Sequence, residues 1–263
     1  MGSSSNSSNS SIGFAALFSH GQIINLCALG GSNVSFADAI NAAGKITGYS
    51  WFSSSGISHA FLYSAGRMTD IHSATLFPSG SLALGINNSG LVIGYGWISG
   101  AIEHAFLYSS GIMTDLGIPA GATGSSAAAI NHSGQIAGSI GTVSSSHAAL
   151  YSNGAWTDLG GMAGATLGTT ATGINDAGQI IGQAIFPQVL ISPARPGHRR
   201  VYKPITRVGF VIQNSAFVDL DSLITPNSGF VVTGAVGINN SGAILCNAKT
   251  SVSESHAVLL TPK

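Results

Sequence analysis

Short apolar segments alternate with Gly-, Asn- and Ser-rich stretches along almost the whole chain. The segments are rich in Ile, Val, Phe, Tyr and Thr, which favour β-strands, and their Gly and Asn boundaries favour turns. We find no segment with the periodicity of an amphipathic helix. The pattern therefore predicts an all-β protein.

The apolar segments belong to an internal repeat, whose most regular part is Ile-Asn-x-x-Gly. The motif starts at Ile40, Ile86, Ile130, Ile174 and Ile238, and successive copies lie 46, 44, 44 and 64 residues apart. Self-similarity at such a period indicates a repeat architecture.

Each repeat contains four segments, which we name c, d, a and b in chain order. Segment c ends in Ile-Asn, d is typified by residues 178–182, a by His-Ala-Phe-Leu-Tyr at 59–63, and b by Thr-Asp-Leu at 114–116. Tight turns join c to d and a to b. Four antiparallel strands in about 45 residues are typical of a propeller blade.

Five copies of the repeat predict one five-bladed β-propeller domain over residues 13–263, after a flexible Ser- and Asn-rich leader at 1–12. The last copy ends in segment a at 256–260, whereas the chain opens with a-like and b-like segments at 14–18 and 22–26. We therefore expect strands c and d of the last blade to pair with N-terminal strands.

The motifs resemble those of the HAF repeat, a bacterial extracellular repeat family with a His-Ala-Phe signature. The resemblance covers residues 13–260 and is carried by the motifs at 59–63, 111–116 and 174–182. It implies an exported bacterial protein and names no reaction. We expect an extracellular or secreted location, although the leader lacks the basic and apolar regions of a signal peptide.

The low content of charged residues and the zero net charge exclude some classes of function. The 263 residues include 9 Lys and Arg against 9 Asp and Glu, and only 7% of the chain is charged. A nucleic-acid partner is not expected, because such binding commonly uses an excess of basic residues. A membrane span is not expected either, since no apolar run of about 18 residues occurs.

The sequence predicts no metal site and no cofactor. The chain has two cysteines, Cys27 and Cys246, which fit neither a zinc cluster nor a disulfide-dense scaffold. The segments that carry them would lie about 9.5 Å apart with a strand between them, too far for a disulfide. We expect two free thiols in a monomeric protein.

One link between segments d and a is unusually long, and it forms a predicted insertion at about 184–207. We expect these links to share the functional face with the b-to-c links, because loops on a rigid scaffold commonly carry function. Arg side chains suit carboxylate, sulfate or phosphate groups, so the insertion favours an anionic glycan or another anionic ligand. The alternative is a solvated insertion without a ligand. The candidate ligand contacts are Arg195, His198, Arg199, Arg200, Tyr202 and Lys203.

Repeated His and Asp residues suggest structural pairs rather than a catalytic site. A two-residue turn between segments a and b places the His diagonally across from the Asp on one sheet face. Residues that recur in several blades do not converge on one pocket. The predicted pairs are His59 with Asp70, His104 with Asp115, and His147 with Asp158.

The remaining acids provide a weaker enzymatic alternative. Glycoside hydrolysis needs two converging carboxyl groups, and the candidates are Asp38, Glu103 and Glu254. Asp38 stands on an inner strand, but it is the only acid there, which weakens the case for an enzyme.

The first functional hypothesis is a nonenzymatic propeller that binds a glycan or another surface ligand through its loop face. A carbohydrate-active hydrolase or lyase and a protein-interaction scaffold are the alternatives, because propellers host all three functions.

Overall fold

The computed structural model describes residues 2–5, 13–30, 32, 34–100, 102–192, 201–203, 205–225, 228–250 and 254–262. These residues form β-strands joined by turns, with a single short 3-10 helix at Leu220–Leu223. Five sheets form the blades of a five-bladed β-propeller, which confirms the predicted fold class. The strands within each blade are antiparallel, and the sheet of blade 1 also includes the three N-terminal strands.

Blades 1 to 4 each contain four strands in the order c, d, a and b. Blade 1 contains β4 (Val34–Ile40), β5 (Ile46–Phe52), β6 (Ile57–Ser64) and β7 (Arg67–Asp70). Blade 2 contains β8 (Ser81–Ile86), β9 (Val92–Ser99), β10 (Ile102–Ser109) and β11 (Ile112–Asp115). Blade 3 contains β12 (Gly124–Ile130), β13 (Ile136–Gly141), β14 (Ser146–Ser152) and β15 (Ala155–Gly160).

Blade 4 contains β16 (Gly168–Ile174), β17 (Ile180–Phe186), β20 (Thr206–Gln213) and β21 (Ala216–Asp219). A separate two-stranded sheet, β18 (Val189–Ser192) with β19 (Val201–Lys203), lies in the insertion between β17 and β20. Blade 5 contains β22 (Phe230–Ile238), β23 (Ile244–Thr250) and β24 (Ser255–Leu260). Within the described residues this blade has three strands.

The described structure divides into two compact units, and the prediction of one propeller domain stays a prediction. Unit 1 comprises residues 1–136 and 153–155, and unit 2 comprises residues 137–152 and 156–263. Blades 1 and 2 belong to unit 1, blades 4 and 5 belong to unit 2, and the strands of blade 3 are shared.

The N-terminal strands differ from the prediction. Part of the expected leader forms β1 (Gly2–Ser5), which pairs with β2 (Gly13–Ser19), and β2 also pairs with β3 (Gln22–Asn25). Strand β23 pairs with β24 instead of an N-terminal strand, so the expected closing sheet was wrong for the described residues. Strand β24 follows β23 directly in the sequence, so a short connection is enough for the two strands to pair antiparallel.

Glycines in segment d allow a close approach between strands. In blade 2 the register shifts between Ala83 and Gly85, which marks a bulge in β8. The bulge brings the backbone of β8 against Gly94, where an added Cβ would overlap the carbonyl oxygen of Leu82. Gly48 and Gly182 meet the same obstacle in blades 1 and 4, which explains why the repeat keeps Gly there.

The Asn of the Ile-Asn-x-x-Gly motif connects successive blades within each unit. Its Oδ1 accepts a hydrogen bond from the backbone four residues later, as Asn87 does from Leu91 at 3.0 Å. Its Nδ2 donates to the next copy of the motif: Asn41 donates to the Asn87 carbonyl at 3.1 Å, and Asn87 to the Asn131 carbonyl at 3.0 Å. The motif is therefore both a turn and an inter-blade link.

Candidate functional site

Four of the six ligand contacts that the sequence predicts in the basic insertion lie outside the described residues. These are Arg195, His198, Arg199 and Arg200. Tyr202 and Lys203 belong to β19, of which only the backbone is described. The ligand contacts assigned to this insertion stay a prediction.

The three predicted His and Asp pairs are hydrogen-bonded across segments a and b. The His Nδ1 to Asp Oδ2 distance is 2.8 Å for His59 with Asp70, 3.0 Å for His104 with Asp115, and 3.0 Å for His147 with Asp158. In blades 1 and 2 the Asp lies opposite the Phe of the His-Ala-Phe motif, so the contact is diagonal. Each pair therefore joins segment b, the outer strand, to segment a of the same blade.

The three candidate catalytic acids do not all lie in one unit. Glu254 belongs to unit 2, is exposed, and lies 3.7 Å from Nε2 of His256. Asp38 and Glu103 both belong to unit 1, on or next to strands of blades 1 and 2.

Four aromatic side chains accompany these two acids, and we name the group the aromatic–carboxylate surface. Phe36 on β4 lies directly opposite Tyr49 on β5, and their rings stack with centroids 4.9 Å apart. The full set is Phe36, Asp38, Tyr49, Tyr95, Trp97 and Glu103.

The blade 2 part of this surface is built on β9 and β10. Tyr95 and Trp97 share one face of β9, and their rings meet edge to face with centroids 5.3 Å apart. Glu103 lies directly across from Trp97, whose indole N–H donates a hydrogen bond to the carboxylate. The cross-strand pairing therefore orients both the acid and the ring.

Electrostatic coupling links the two carboxylates through the tyrosines. Burial raises the pKa of Tyr95, and the negative charges of Glu103 and Asp38, together with Tyr49, raise it further. Burial and the Asp38 carboxylate also raise the pKa of Tyr49. The charges of Asp38 and Glu103 therefore both act on Tyr95, which connects the two acids electrostatically across blades 1 and 2.

Both carboxylates have lost part of their hydration. The Asp38 side chain is exposed at the surface of β4, yet the partial loss of its hydration raises its pKa to about 6. Burial also raises the pKa of Glu103, and the Trp97 hydrogen bond partly opposes that change. A carboxyl group of this kind accepts hydrogen bonds when ionised and can donate one when protonated.

Sequence reasoning singled out Asp38 and Glu103 and missed the aromatic residues. A signal for two of them was present, because Gly-Tyr stands at 48–49 and 94–95 in segment d of the first two repeats. The third and fourth repeats have Ser139 and Gln183 at that place.

The described residues hold no cluster of His, Cys, Asp and Glu that could bind a metal ion. In the same part of the chain, no helix has the length and apolarity to cross a membrane. Cys27 and Cys246 are free thiols, the first exposed and the second buried, and burial raises the pKa of Cys246 to about 11.

Comparison with known proteins assigns no family to this chain: no protein-family model and no curated protein matches it.

Proposed function

We propose that this propeller is a nonenzymatic binding protein that recognises a glycan at the aromatic–carboxylate surface. The observation that carries the proposal is the juxtaposition of stacked and edge-to-face aromatic pairs with two partly desolvated acids in blades 1 and 2. The fold is compatible with ligand binding and with an interaction scaffold, and this surface favours the former.

The chemistry of a sugar matches these side chains. A pyranose presents apolar C–H faces, against which aromatic rings pack, and hydroxyl groups, which donate hydrogen bonds to carboxylates. Phe36 is 37% exposed and Trp51, two residues beyond Tyr49 on β5, is 42% exposed. These two rings extend the apolar surface that a glycan chain could cover.

The resemblance to the HAF repeat supports an extracellular setting, where glycans are abundant, and we propose that location on the same basis. The basic insertion at 184–207 belongs to unit 2 and is proposed as a separate contact for anionic glycans, since its Arg and Lys residues suit sulfate and carboxylate groups.

A carbohydrate-active hydrolase is the second candidate, because Asp38 and Glu103 both act on Tyr95. A general acid must be protonated near the working pH, and Asp38 meets that condition up to a pH of about 6. Glu103 would then have to serve as the ionised partner.

A glycan array, followed by titration of any glycan that binds, tests the proposed function. We expect Trp97→Ala to weaken binding by about tenfold or more, which corresponds to roughly 1.4 kcal/mol. Trp156→Ala is the matched control, because Trp156 also meets a tyrosine, Tyr151, edge to face at 5.3 Å, but outside this surface. Equal binding by both variants, or no binding by the parent protein, would overturn the proposal.

Product analysis separates the enzyme from the binding protein. Each glycan that binds is incubated with the protein and with Asp38→Asn and Glu103→Gln. Release of reducing ends by the parent protein, lost in both variants, would establish the hydrolase. Unchanged glycan supports the nonenzymatic function.

A further inference from the structure

The outer edge of β24 in blade 5 differs from that of segment a in the other blades. In blades 1 to 4 segment b pairs with segment a on the side away from segment d, as β7 does with β6. Among the described residues β24 pairs with β23 alone. An edge strand of this kind presents backbone N–H and C=O groups that another strand can bind.

The backbone geometry of the complete blades identifies the groups at this edge. The carbonyl of the Ala in His-Ala-Phe accepts a hydrogen bond from the residue after the Asp of segment b: Ile71 donates to Ala60 at 3.0 Å, and Leu116 to Ala105 at 2.9 Å. Ala257 is the corresponding residue of β24. Its carbonyl therefore points away from β23, as does the backbone of Leu259 two residues later.

His256 keeps the side chain that binds segment b in other blades. The equivalent His59, His104 and His147 each hold the Asp of the adjacent segment b at 2.8–3.0 Å. His256 instead forms a longer contact, 3.7 Å, with Glu254 of its own blade, and its side chain is 41% exposed. Its ring also packs edge to face against Phe230, with centroids 5.5 Å apart. An Asp on an added strand would lie diagonally across from His256, because His256 has the same strand position as the three paired histidines.

An apolar cleft adjoins the same edge within unit 2. Its volume is about 650 Å³, in the range of ligand-binding pockets, and its walls include Leu220, Val232, Val258 and Leu260. Leu260 corresponds to Tyr63 of blade 1, which lies opposite Met68 of segment b. Met68 and Tyr63 pack against the same core cluster. The cleft beside Leu260 is thus placed to receive the apolar residue of an added strand.

We propose that the β24 edge binds an extended segment of a partner protein with the sequence apolar-x-Asp-apolar, running antiparallel to β24. Backbone hydrogen bonds to Ala257 and Leu259 would supply affinity, and the cleft and His256 would select the apolar side chain and the Asp. This inference rests on unit 2 and is independent of the proposed glycan site.

A peptide that copies residues 111–117 of this chain (Gly-Ile-Met-Thr-Asp-Leu-Gly), labelled at its N-terminus, is the probe. Fluorescence anisotropy is expected to show saturable binding to the full chain. Replacing the peptide Asp by Ala, or His256→Ala in the protein, should each weaken binding by about tenfold. His147→Ala is the matched control and should leave peptide binding unchanged, because His147 already pairs with Asp158.

Leu259→Pro tests the backbone contribution, because it removes an N–H on the outer edge while proline is tolerated on edge strands. We expect peptide binding to be lost while the thermal unfolding curve of the protein is retained. If Leu259→Pro is misfolded, a peptide N-methylated at the residue after its Asp serves instead, because it lacks the N–H that would donate to the Ala257 carbonyl.

Sedimentation velocity tests whether a second copy of this chain occupies the β24 edge instead, because it measures dimer formation. A dimer that Leu259→Pro abolishes, and that the peptide does not dissociate, would assign the edge to self-association and overturn the proposal. Absence of peptide binding at millimolar concentration, or binding indifferent to both His256→Ala and the backbone changes, would also overturn it.

Discussion

At the scale of single residues, Gly94 shows how the repeat constrains side-chain size. Because an added Cβ would overlap the Leu82 carbonyl, Gly94→Ala must displace the backbone of β8 or β9. We expect a loss of about 1–3 kcal/mol or more in the free energy of unfolding. Urea denaturation measures this, with Gly237→Ala as the control because no atom lies within 4 Å of the added Cβ there. Equal effects of the two substitutions would refute this explanation of the repeated glycine.

The raised pKa of Asp38 predicts a specific pH dependence of the unfolding free energy. Burial raises its pKa from 3.8 to about 6, so between these values the folded state holds a proton that the unfolded state has lost. The unfolding free energy therefore falls as the pH rises from about 4 to about 6, and the loss is complete above that window.

Asp38→Asn removes this titration. We expect the Tm of the variant to rise relative to that of the parent protein between pH 4 and pH 7, with no further change above pH 7. Thermal unfolding at several pH values checks the expectation. A Tm difference that is independent of pH would show that Asp38 ionises as it does in the unfolded chain.

At the scale of elements, the turn between segments c and d also carries the link between blades. Asn87 is 5% exposed, caps its own turn and donates to the Asn131 carbonyl. Asn87→Ala removes one donor from the buried Asn131 carbonyl, which keeps the Gly134 N–H, and removes the acceptor of the part-buried Leu91 N–H. A polar group left without a partner in this way costs about 1–3 kcal/mol.

We expect Asn87→Ala to lower the Tm clearly, whereas Ser89→Ala, in the same turn but exposed, should leave it unchanged. Differential scanning calorimetry compares the two. If both variants unfold at the parent temperature, the hydrogen bonds of the Asn87 side chain contribute nothing measurable to stability.

Strand pairing was predictable where it is local and not where it is remote. Hairpins such as β6–β7 follow from turn residues, because a two-residue turn sets the register of both strands. Pairing of β23 depended on a choice between two similar segments, 14–18 and 256–260, and the motif alone does not rank them. In the structure, β2 instead joins the sheet of blade 1: it pairs in parallel with β4, and the Ala15 N–H donates to Oγ of Ser35 at 2.9 Å.

At the scale of the whole molecule, the repeat specifies the blades but not the site that distinguishes them. Blades 1 and 2 share strand order and turns with blades 3 and 4, yet only in the first two does segment d carry Tyr after the Gly. Positions at which one repeat differs from the others are therefore the candidates for a functional site. Asp38, an acid on an inner strand, was one exception visible in the sequence.

By itself, the sequence determined the all-β class, the five repeats and the hydrogen-bonded His and Asp pairs, because each follows from short-range turn chemistry and the two-residue period of a strand. Only the tertiary structure let the charges of Glu103 and Asp38 act on the same tyrosine, Tyr95, and left the β24 edge beside an apolar cleft. Those contacts join residues from different strands and blades. Their proximity depends on how the sheets pack, which residue patterns along one chain do not specify.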